Sequence, residues 1–331
     1  MSLYLHGLGH FHPENQITNQ FLTDLDIGTD QEWIEERVGI DARRTVLPLD
    51  YIEQTRNLDP TQALEAALYT HAETGRRASE MALERAGLDR EDIGMVIAGS
   101  CSPDMMSPAD ACTIAAALEM EVPSFDVNSA CTSFHVALYM LSMMRPEALP
   151  DYILVVTPES LTTAVDYTDR SAAVLWGDGT SAAVVSTRVP SRIEILGNSL
   201  DSSPAGHDKV IVPSFGHFWQ EGRTVQMFAI KKTIRILRRL QKKYTDPNRR
   251  FYFVGHQANL RMLEAVCRQC EIDDDRHYHN VINFGNTGAA GAPAVISMNW
   301  DRWTAGDDIA VVGVGSGLSW SGHVLRFGES P

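Results

Sequence analysis

Positive charge is in short supply in this 331-residue chain: 28 lysines and arginines face 43 aspartates and glutamates, leaving a net charge of −15. Nucleic-acid binding draws on phosphate neutralisation, so a chain this acidic is excluded as a general nucleic-acid binder. Long apolar runs are missing too; none approaches the ~20 residues of a membrane-spanning helix. Met1–His6 carries neither the basic flank nor the apolar stretch of a secretion signal. Cysteine is sparse, and its odd count of five does not make a disulfide framework, which points to a reducing cytoplasm. Low-complexity tracts and obvious linkers are absent as well. What remains is an ordinary globular composition, 44% hydrophobic and 21% charged. At roughly 150 residues per domain the length suits two domains or one duplicated unit.

Short β-like runs alternate with helical patterns. Strands are expected over 3–9, 93–100, 124–127, 152–158, 181–186, 192–196, 251–254, 309–314 and 319–327. Helices are expected near 61–87, 109–118, 131–144, 225–244, 259–270 and 287–299. This alternation implies βαβ units in a layered α/β fold. Continuous apolar runs such as Ile153–Val156 read as strands covered on both faces. A glycine turn feeding a β-run at Gly177–Val185 is echoed at Gly313–Trp320. Two similar halves, 1–190 and 191–331, would therefore share one core.

The pattern over 131–144 is apolar nearly all round (Phe134, Val136, Ala137, Leu138, Met140, Leu141), as befits a central helix. It follows the small, polar stretch Asp126–Ala130. Cys131 thus falls where a helix dipole and unpaired N–H groups favour negative charge, and there a thiol pKa drops from about 8.5 toward 7 or below. Cys131 is the candidate nucleophile. Cys101 and Cys112 read as packing residues. Cys267 and Cys270 form a CxxC, but with Leu260 and Leu263 they fall on one apolar helical stripe, so a zinc site is the weaker reading and no metal is expected.

Eleven histidines compete to partner the thiol. His256 ends the run 251–254 just before a helix and is best placed. His135, one turn past Cys131, could lean back toward it. His6, His10 and His12 read as scattered surface residues of a Gly-rich segment. Asn286, in the turn Asn283–Gly288, reads as a helix cap or as an amide donor to a developing oxyanion, and its position alone favours the cap.

Taken together, Asp126–Cys131, Gly255–Arg261 (Gly-His-Gln-Ala-Asn-Leu-Arg) and Phe284–Ala289 (Phe-Gly-Asn-Thr-Gly-Ala) resemble the three active-site motifs of β-ketoacyl-[acyl-carrier-protein] synthase III. Glu32–Ile34, Arg37–Ile40, Asp169–Arg170, Gly177–Gly179 and Gly315–Gly317 match as well, so the resemblance spans essentially the whole chain. It implies a thiolase-like duplicated fold, a five-layered αβαβα body, and a homodimer. It implies that Cys131 accepts an acyl group while His256 and Asn286 stabilise the enolate left by decarboxylation. The N–H groups of Cys131 and Gly317 become the oxyanion hole. Trp33 and Arg37, helped by Thr29, Arg170 and Asn259, hold coenzyme A. Coenzyme A thioesters enter as substrates, and no cofactor is required.

The departures from the family pattern are specific. The connection over 46–75 is long, Gly288 replaces the usual serine, and Gly315-Ser316-Gly317 replaces a triple glycine. Ser107, beside Met106 in the expected acyl pocket, stands where an aromatic often closes it. A primer longer than acetyl and a specialised paralogue are the corresponding expectations. Between Lys231 and Arg250 lie nine basic residues and one acid, a local +8 that leaves −23 on the rest of the chain. Its face of Lys231, Arg235 and Arg238, with Arg261, is a candidate dock for acidic acyl carrier protein. Two alternatives stand beside decarboxylative condensation: acyl transfer to a hydroxyl, amine or carbon nucleophile without decarboxylation, and a non-catalytic acyl-binding subunit.

Overall fold

The nine expected strands all form, and they hydrogen-bond into one mixed sheet. They are β1 (Tyr4–Phe11), β2 (Ile93–Ala98), β3 (Ser124–Asp126), β4 (Tyr152–Glu159), β5 (Gly179–Ser186), β6 (Ile193–Ser202), β7 (Arg250–Gly255), β8 (Asp307–Gly315) and β9 (Ser319–Phe327). The structure, a computed structural model, describes residues 2–214 and 216–329. Strand order is β7-β8-β9-β6-β1-β5-β4-β2-β3.

One pairing scheme occurs twice. β1 runs antiparallel to β5, β5 antiparallel to β4, and β4 parallel to β2. In the second set β6 runs antiparallel to β9, β9 antiparallel to β8, and β8 parallel to β7. The echo between Gly177–Val185 and Gly313–Trp320 is thus carried by corresponding strands, β5 and the β8–β9 hairpin. The pairs Tyr4↔Glu194 and Leu5↔Ile193 join the two sets through β1 and β6.

The principal helices are α1 (Gln31–Val38), α2 (His71–Ala86), α3 (Asp110–Ala117), α4 (Ser133–Met143), α5 (Gly222–Tyr244), α6 (Leu260–Cys270) and α7 (Gly291–Met298). α2 and α3 cover the outer face of the first strand set, and α5 and α6 the outer face of the second. α4 and α7 touch strands of both sets and form the middle layer. Alternate side chains of a strand point to opposite faces, and the cores follow that rule. Ile153 and Val155 of β4 and Ile309 and Val311 of β8 enter the central core, whereas Leu154 and Val156 face α2 and α3, and Ala310 and Val312 face α5 and α6. The result is five layers, αβαβα. At Gly7 and Gly9 of β1 a Cβ would lie 2.1 Å from the Ala82 carbonyl oxygen and 1.9 Å from that of Ala78, so helix α2 rests directly on bare strand backbone.

Two expectations are corrected. The helix over 61–87 is broken: Pro60–Ala66 stops where Ala67 turns extended (ψ 133°), and α2 restarts under the Thr70 cap, whose Oγ1 accepts from Glu73 N–H. The short helices Asn19–Asp24, α1 and Leu49–Thr55 were not anticipated. Their apolar stripes are too brief to show a period, although Asp30 and Gly39 cap α1 in the ordinary way.

The histidines are less exposed than their scatter implied. His6 and His10 lie on β1 and are half-buried. Burial lowers His10 to about 4 and His12 to about 3. His135 does not turn toward Cys131; its Nδ1 lies 3.3 Å from His323 Nδ1 between the sheets. Burial lowers both, His323 to about 3. These imidazoles stay neutral in the fold while the unfolded chain takes up protons below about pH 6.5, so stability falls as pH falls through that value. Glu159 and Asp178 oppose this trend, burial having raised them to about 7 and about 6. The expected outcome is therefore differential. Unfolding free energies measured in urea from pH 7 to pH 4 should fall less steeply in His135→Thr/His323→Ala than in wild type, by up to about 1.4 kcal/mol per pH unit per histidine removed.

Candidate active site

Parallel strands deliver the loops at their carboxyl ends to one edge of a sheet, the usual place for chemistry in open α/β folds. β2, β3 and β4 are parallel and in step, with Ala98 opposite both Asp126 and Val156. Cys101 follows β2, Cys131 follows β3, and Glu159 ends β4. β7 and β8 do the same from the second set, with Gly255 opposite Val312. His256 N–H donates to the Val312 carbonyl at 2.8 Å, and Gly315 ends β8.

Cys131 sits in a single 3-10 turn, Ala130–Thr132, that leads into α4. Asn128 Oδ1 accepts Ala130 N–H at 2.8 Å, and Ser133 Oγ donates to the Ala130 carbonyl at 2.7 Å. These bonds hold Ala130 in the left-handed region at φ 48°, which an alanine seldom adopts. Thr132 Oγ1 lies 2.7 Å from Ser319 Oγ and ties the turn to β9. Gly315 packs so close that a Cβ there would stand 3.2 Å from Cys131 N, and the turn after β8 carries Gly317 at φ 124°.

The surroundings of the thiol favour its ionised form. Cys131 Sγ lies 3.6 Å from Cys101 Sγ. The Cys101 S–H bond, followed by the hydrogen bond and charge of His256, pulls the Cys131 thiol well below its ordinary range against the opposing effect of burial. Cys101 moves the other way, raised by its bond to Cys131, by burial, and by the charges of Cys131 and Glu159. Glu159 accepts N–H bonds from Ala289 at 2.8 Å and Cys101 at 2.9 Å and the Ser100 hydroxyl at 3.1 Å. Burial first, and then the thiolate, raise it to about 7.

The Asn286 turn reaches the same place. Residues 288–290 pack on the 130–132 turn, and Glu159 joins Ala289 to Cys101. Asn286 is buried; its N–H donates to the Leu175 carbonyl at 2.8 Å and its Oδ1 accepts Gly288 N–H at 3.1 Å. The carboxamide caps its own turn through oxygen, which leaves the nitrogen as the free donor. A Cβ on Gly288 (φ 55°) would lie 2.5 Å from Glu159 Oε1, so the serine usual at this position has no room.

The remaining sequence-derived residues fall into separate groups. Arg170 and Arg37 bracket Trp33, with Cζ atoms 4.7 and 5.6 Å from its ring centroid. Arg170 also donates to the Gly28 carbonyl. Thr29 Oγ1 beside them is buried without a partner, and Asn259 Oδ1 caps α6 at Met262 N–H, 2.8 Å away. Lys231, Arg235 and Arg238 are exposed on α5, with Arg238 donating to the Gln269 carbonyl at 2.7 Å. Arg261 is spent internally, on the Glu35 carbonyl at 2.6 Å and on Glu264 at 3.1 Å. Met106 and Ser107 lie at an exposed loop tip, Met106 with 82% of its surface accessible. The nearest cavity, about 260 Å³, is lined instead by Leu64, Tyr69, Met105, Ser160 and Thr163. A larger groove of about 670 Å³ lies over Arg76, Glu80 and Glu91 and contains none of these residues. Cys267 and Cys270 are packed in the outer core, where burial raises Cys267 to about 12. Among the described residues no group of three or more His, Cys, Asp or Glu could hold a metal, and no helix is long and apolar enough to cross a membrane.

Two contributors escaped the sequence reading. Along the chain Cys101 reads as a packing residue, and nothing in the pattern around Glu159 marks it. The signal that could have found them is their position, each at the carboxyl end of a strand parallel to the one that precedes Cys131.

A cysteine hydrogen-bonded to an imidazole, at the mouth of a central helix between two strand sets of the same order, fits the thiolase-like class of acyl-transferring enzymes. The 3-oxoacyl-[acyl-carrier-protein (ACP)] synthase III family matches residues 125–204, and its C-terminal counterpart matches 240–327. The β-ketoacyl-[acyl-carrier-protein] synthase III of Oceanobacillus iheyensis is 31% identical over 99% of this chain and 100% of its own. The crystal structure of the 3-oxoacyl-[acyl-carrier-protein] synthase III of Aquifex aeolicus superposes with a TM-score of 0.86 at 27% identity, covering 98% of this chain and 100% of that one. The priming β-ketosynthase of the R1128 polyketide pathway superposes with a TM-score of 0.82 at 25% identity over 99% and 97%. The chain belongs to the β-ketoacyl-[acyl-carrier-protein] synthase III family, and it is a condensing acyltransferase.

The electrostatics give a direct expectation. Iodoacetamide at pH 7 should alkylate Cys131 faster than the more exposed Cys112, and His256→Ala should slow the reaction at Cys131, which loses the hydrogen bond and charge that favour its thiolate. Peptide mapping of the alkylated chain measures both.

Proposed function

We propose that this enzyme loads an acyl group from a coenzyme A thioester onto Cys131 and condenses it with a malonyl- or β-ketoacyl-type thioester. The observation that carries the reading is the lowered Cys131 thiol in contact with His256. Cys131 Sγ attacks the thioester carbonyl and the coenzyme A thiol departs. The Cys131 and Gly317 N–H groups take the oxyanion, a role worth about 10²–10³-fold in rate per donor in comparable sites. The extender then loses CO₂. His256 and the free Asn286 nitrogen stabilise its enolate, which attacks the acyl carbonyl and releases Cys131.

The bracketed Trp33 suits an adenine slipped between ring and guanidinium, with Arg37 and Arg170 toward the phosphates and Thr29 and Asn259 supplying hydrogen bonds. Lys231, Arg235 and Arg238 provide the surface for acyl carrier protein. Arg261 supports that surface from within, bracing α6 against α1. The exposed Met105 and Met106 suit burial against a second copy in a homodimer, where Ser107 would border the acyl pocket. Residues 1–190 would then supply the nucleophile and 191–331 the enolate-stabilising pair. A specialised, cytoplasmic paralogue that takes primers longer than acetyl completes the proposal.

Intact-mass analysis with a panel of acyl-CoA thioesters should show one acyl adduct on wild type and none on Cys131→Ala. His256→Ala and Asn286→Ala should still accept the adduct but release CO₂ from a malonyl donor about 10²–10³-fold more slowly. Acylation of wild type without CO₂ release from a malonyl donor would instead favour acyl transfer without decarboxylation. Arg235→Glu/Arg238→Glu should raise KM for carrier-bound substrate and leave KM for the coenzyme A substrate unchanged; equal effects on both would refute the dock.

A further inference from the structure

Condensation requires one sulfur at this site, and the fold holds two. Cys101 Sγ lies 3.6 Å from Cys131 Sγ, each thiol half-buried and neither in a disulfide. The backbones that carry them are fixed. Val127 N–H donates to the Ala98 carbonyl at 2.7 Å, Gly99 N–H to the Val156 carbonyl at 3.1 Å, and Cys101 N–H to Glu159 at 2.9 Å. The two cysteines therefore face each other from the loops of adjacent parallel strands, and side-chain rotation alone is asked to close the gap to the ~2.05 Å of a disulfide.

We propose that Cys101 is a resolving thiol that joins Cys131 in a reversible disulfide when the site meets a hydroperoxide. Cys131 attacks as thiolate on one peroxide oxygen, and the O–O bond breaks. The departing hydroxide takes a proton and leaves as water, with Cys131 now a sulfenic acid. Cys101 sulfur attacks the sulfenic sulfur, the S–O bond breaks, and a second water leaves. Two thiols give up two electrons and two protons, and hydrogen peroxide is reduced to two waters. Glu159, which also hydrogen-bonds the Cys101 thiol, is placed to accept the Cys101 proton. The order of events follows from the surroundings. Cys131 has His256 beside it, which favours its thiolate, while Cys101 faces Glu159, which disfavours ionisation there. A sulfenic acid without a neighbouring thiol proceeds to sulfinic acid, which is not reversed by simple thiols, so the pair preserves the nucleophile. The proposal rests on the accessible Cys131 thiolate of the preceding section but not on condensation, because its readout is mass.

The experiment treats the full chain with hydrogen peroxide at low molar excess, blocks remaining thiols with N-ethylmaleimide, and determines intact mass and cysteine-containing peptides. Wild type should lose two hydrogens, yield a cross-linked peptide pair containing Cys101 and Cys131, and regain acyl acceptance after dithiothreitol. Cys101→Ser should gain one and then two oxygens on Cys131 and should not recover. Prior acylation of Cys131 should prevent the cross-link. The proposal is overturned if wild type accumulates oxygen on Cys131 without the cross-link, if the lost hydrogens map to Cys267 and Cys270, or if Cys101→Ser recovers as fully as wild type. Wild-type peptide mapping decides the matter even where Cys101→Ser fails to fold.

Discussion

A half-buried sulfur whose surroundings favour its charged form is the most demanding object in this molecule, and its neighbourhood is organised around it. Placing an ion in a low-dielectric interior costs several kcal/mol unless hydrogen bonds and opposite charge replace the lost water. Cys131 receives that replacement from the Cys101 S–H group, from His256 and from its own backbone at the start of a helix. Glu159 adds negative charge to the same pocket and is correspondingly pushed toward neutrality, so the thiolate and the carboxyl compete for one proton's worth of compensation. Function and folding meet in this balance: the fold accommodates a charge that it would otherwise exclude.

The architecture makes the balance possible by duplication. A single open sheet would leave α4 half wet. Two copies of the same strand order, joined through Tyr4↔Glu194 and Leu5↔Ile193, place α4 and α7 between them. The carboxyl ends of parallel strands from both copies then converge on one spot, so Cys131 arrives from one repeat and His256 and Gly315 from the other. The backbone departures lie at the same spot. Ala130 at φ 48° presents the thiol, and Gly288 at φ 55° makes room for Glu159.

Much of this was legible in the order of residues. Strands such as β4 and β8 were readable because continuous apolar runs mark strands covered on both faces, and the central helix because it is apolar all round. Cys131 stood out by its position ahead of an apolar helix, and His256 and Asn286 by motif resemblance. The short helices near residues 19–55 and the break at Ala67 were not, because stripes of one or two turns carry no measurable period. Cys101 and His135 show the deeper limit. Both are small or amphipathic residues in apolar stretches, and nothing along the chain distinguishes one that packs against a methyl group from one that faces a sulfur or another imidazole.

The sequence by itself determined the alternation of strands and helices, the acidic surface with its basic helix, and the thiol at the mouth of an apolar helix, since each depends on residues near one another along the chain. Only the tertiary structure decided that Cys101 and Glu159 stand beside that thiol, that Arg261 is consumed by Glu35 and Glu264, and that Met106 faces outward. Those outcomes depend on which strands pair and in what register, and pairing brings together side chains tens to hundreds of positions apart whose distances no local pattern encodes.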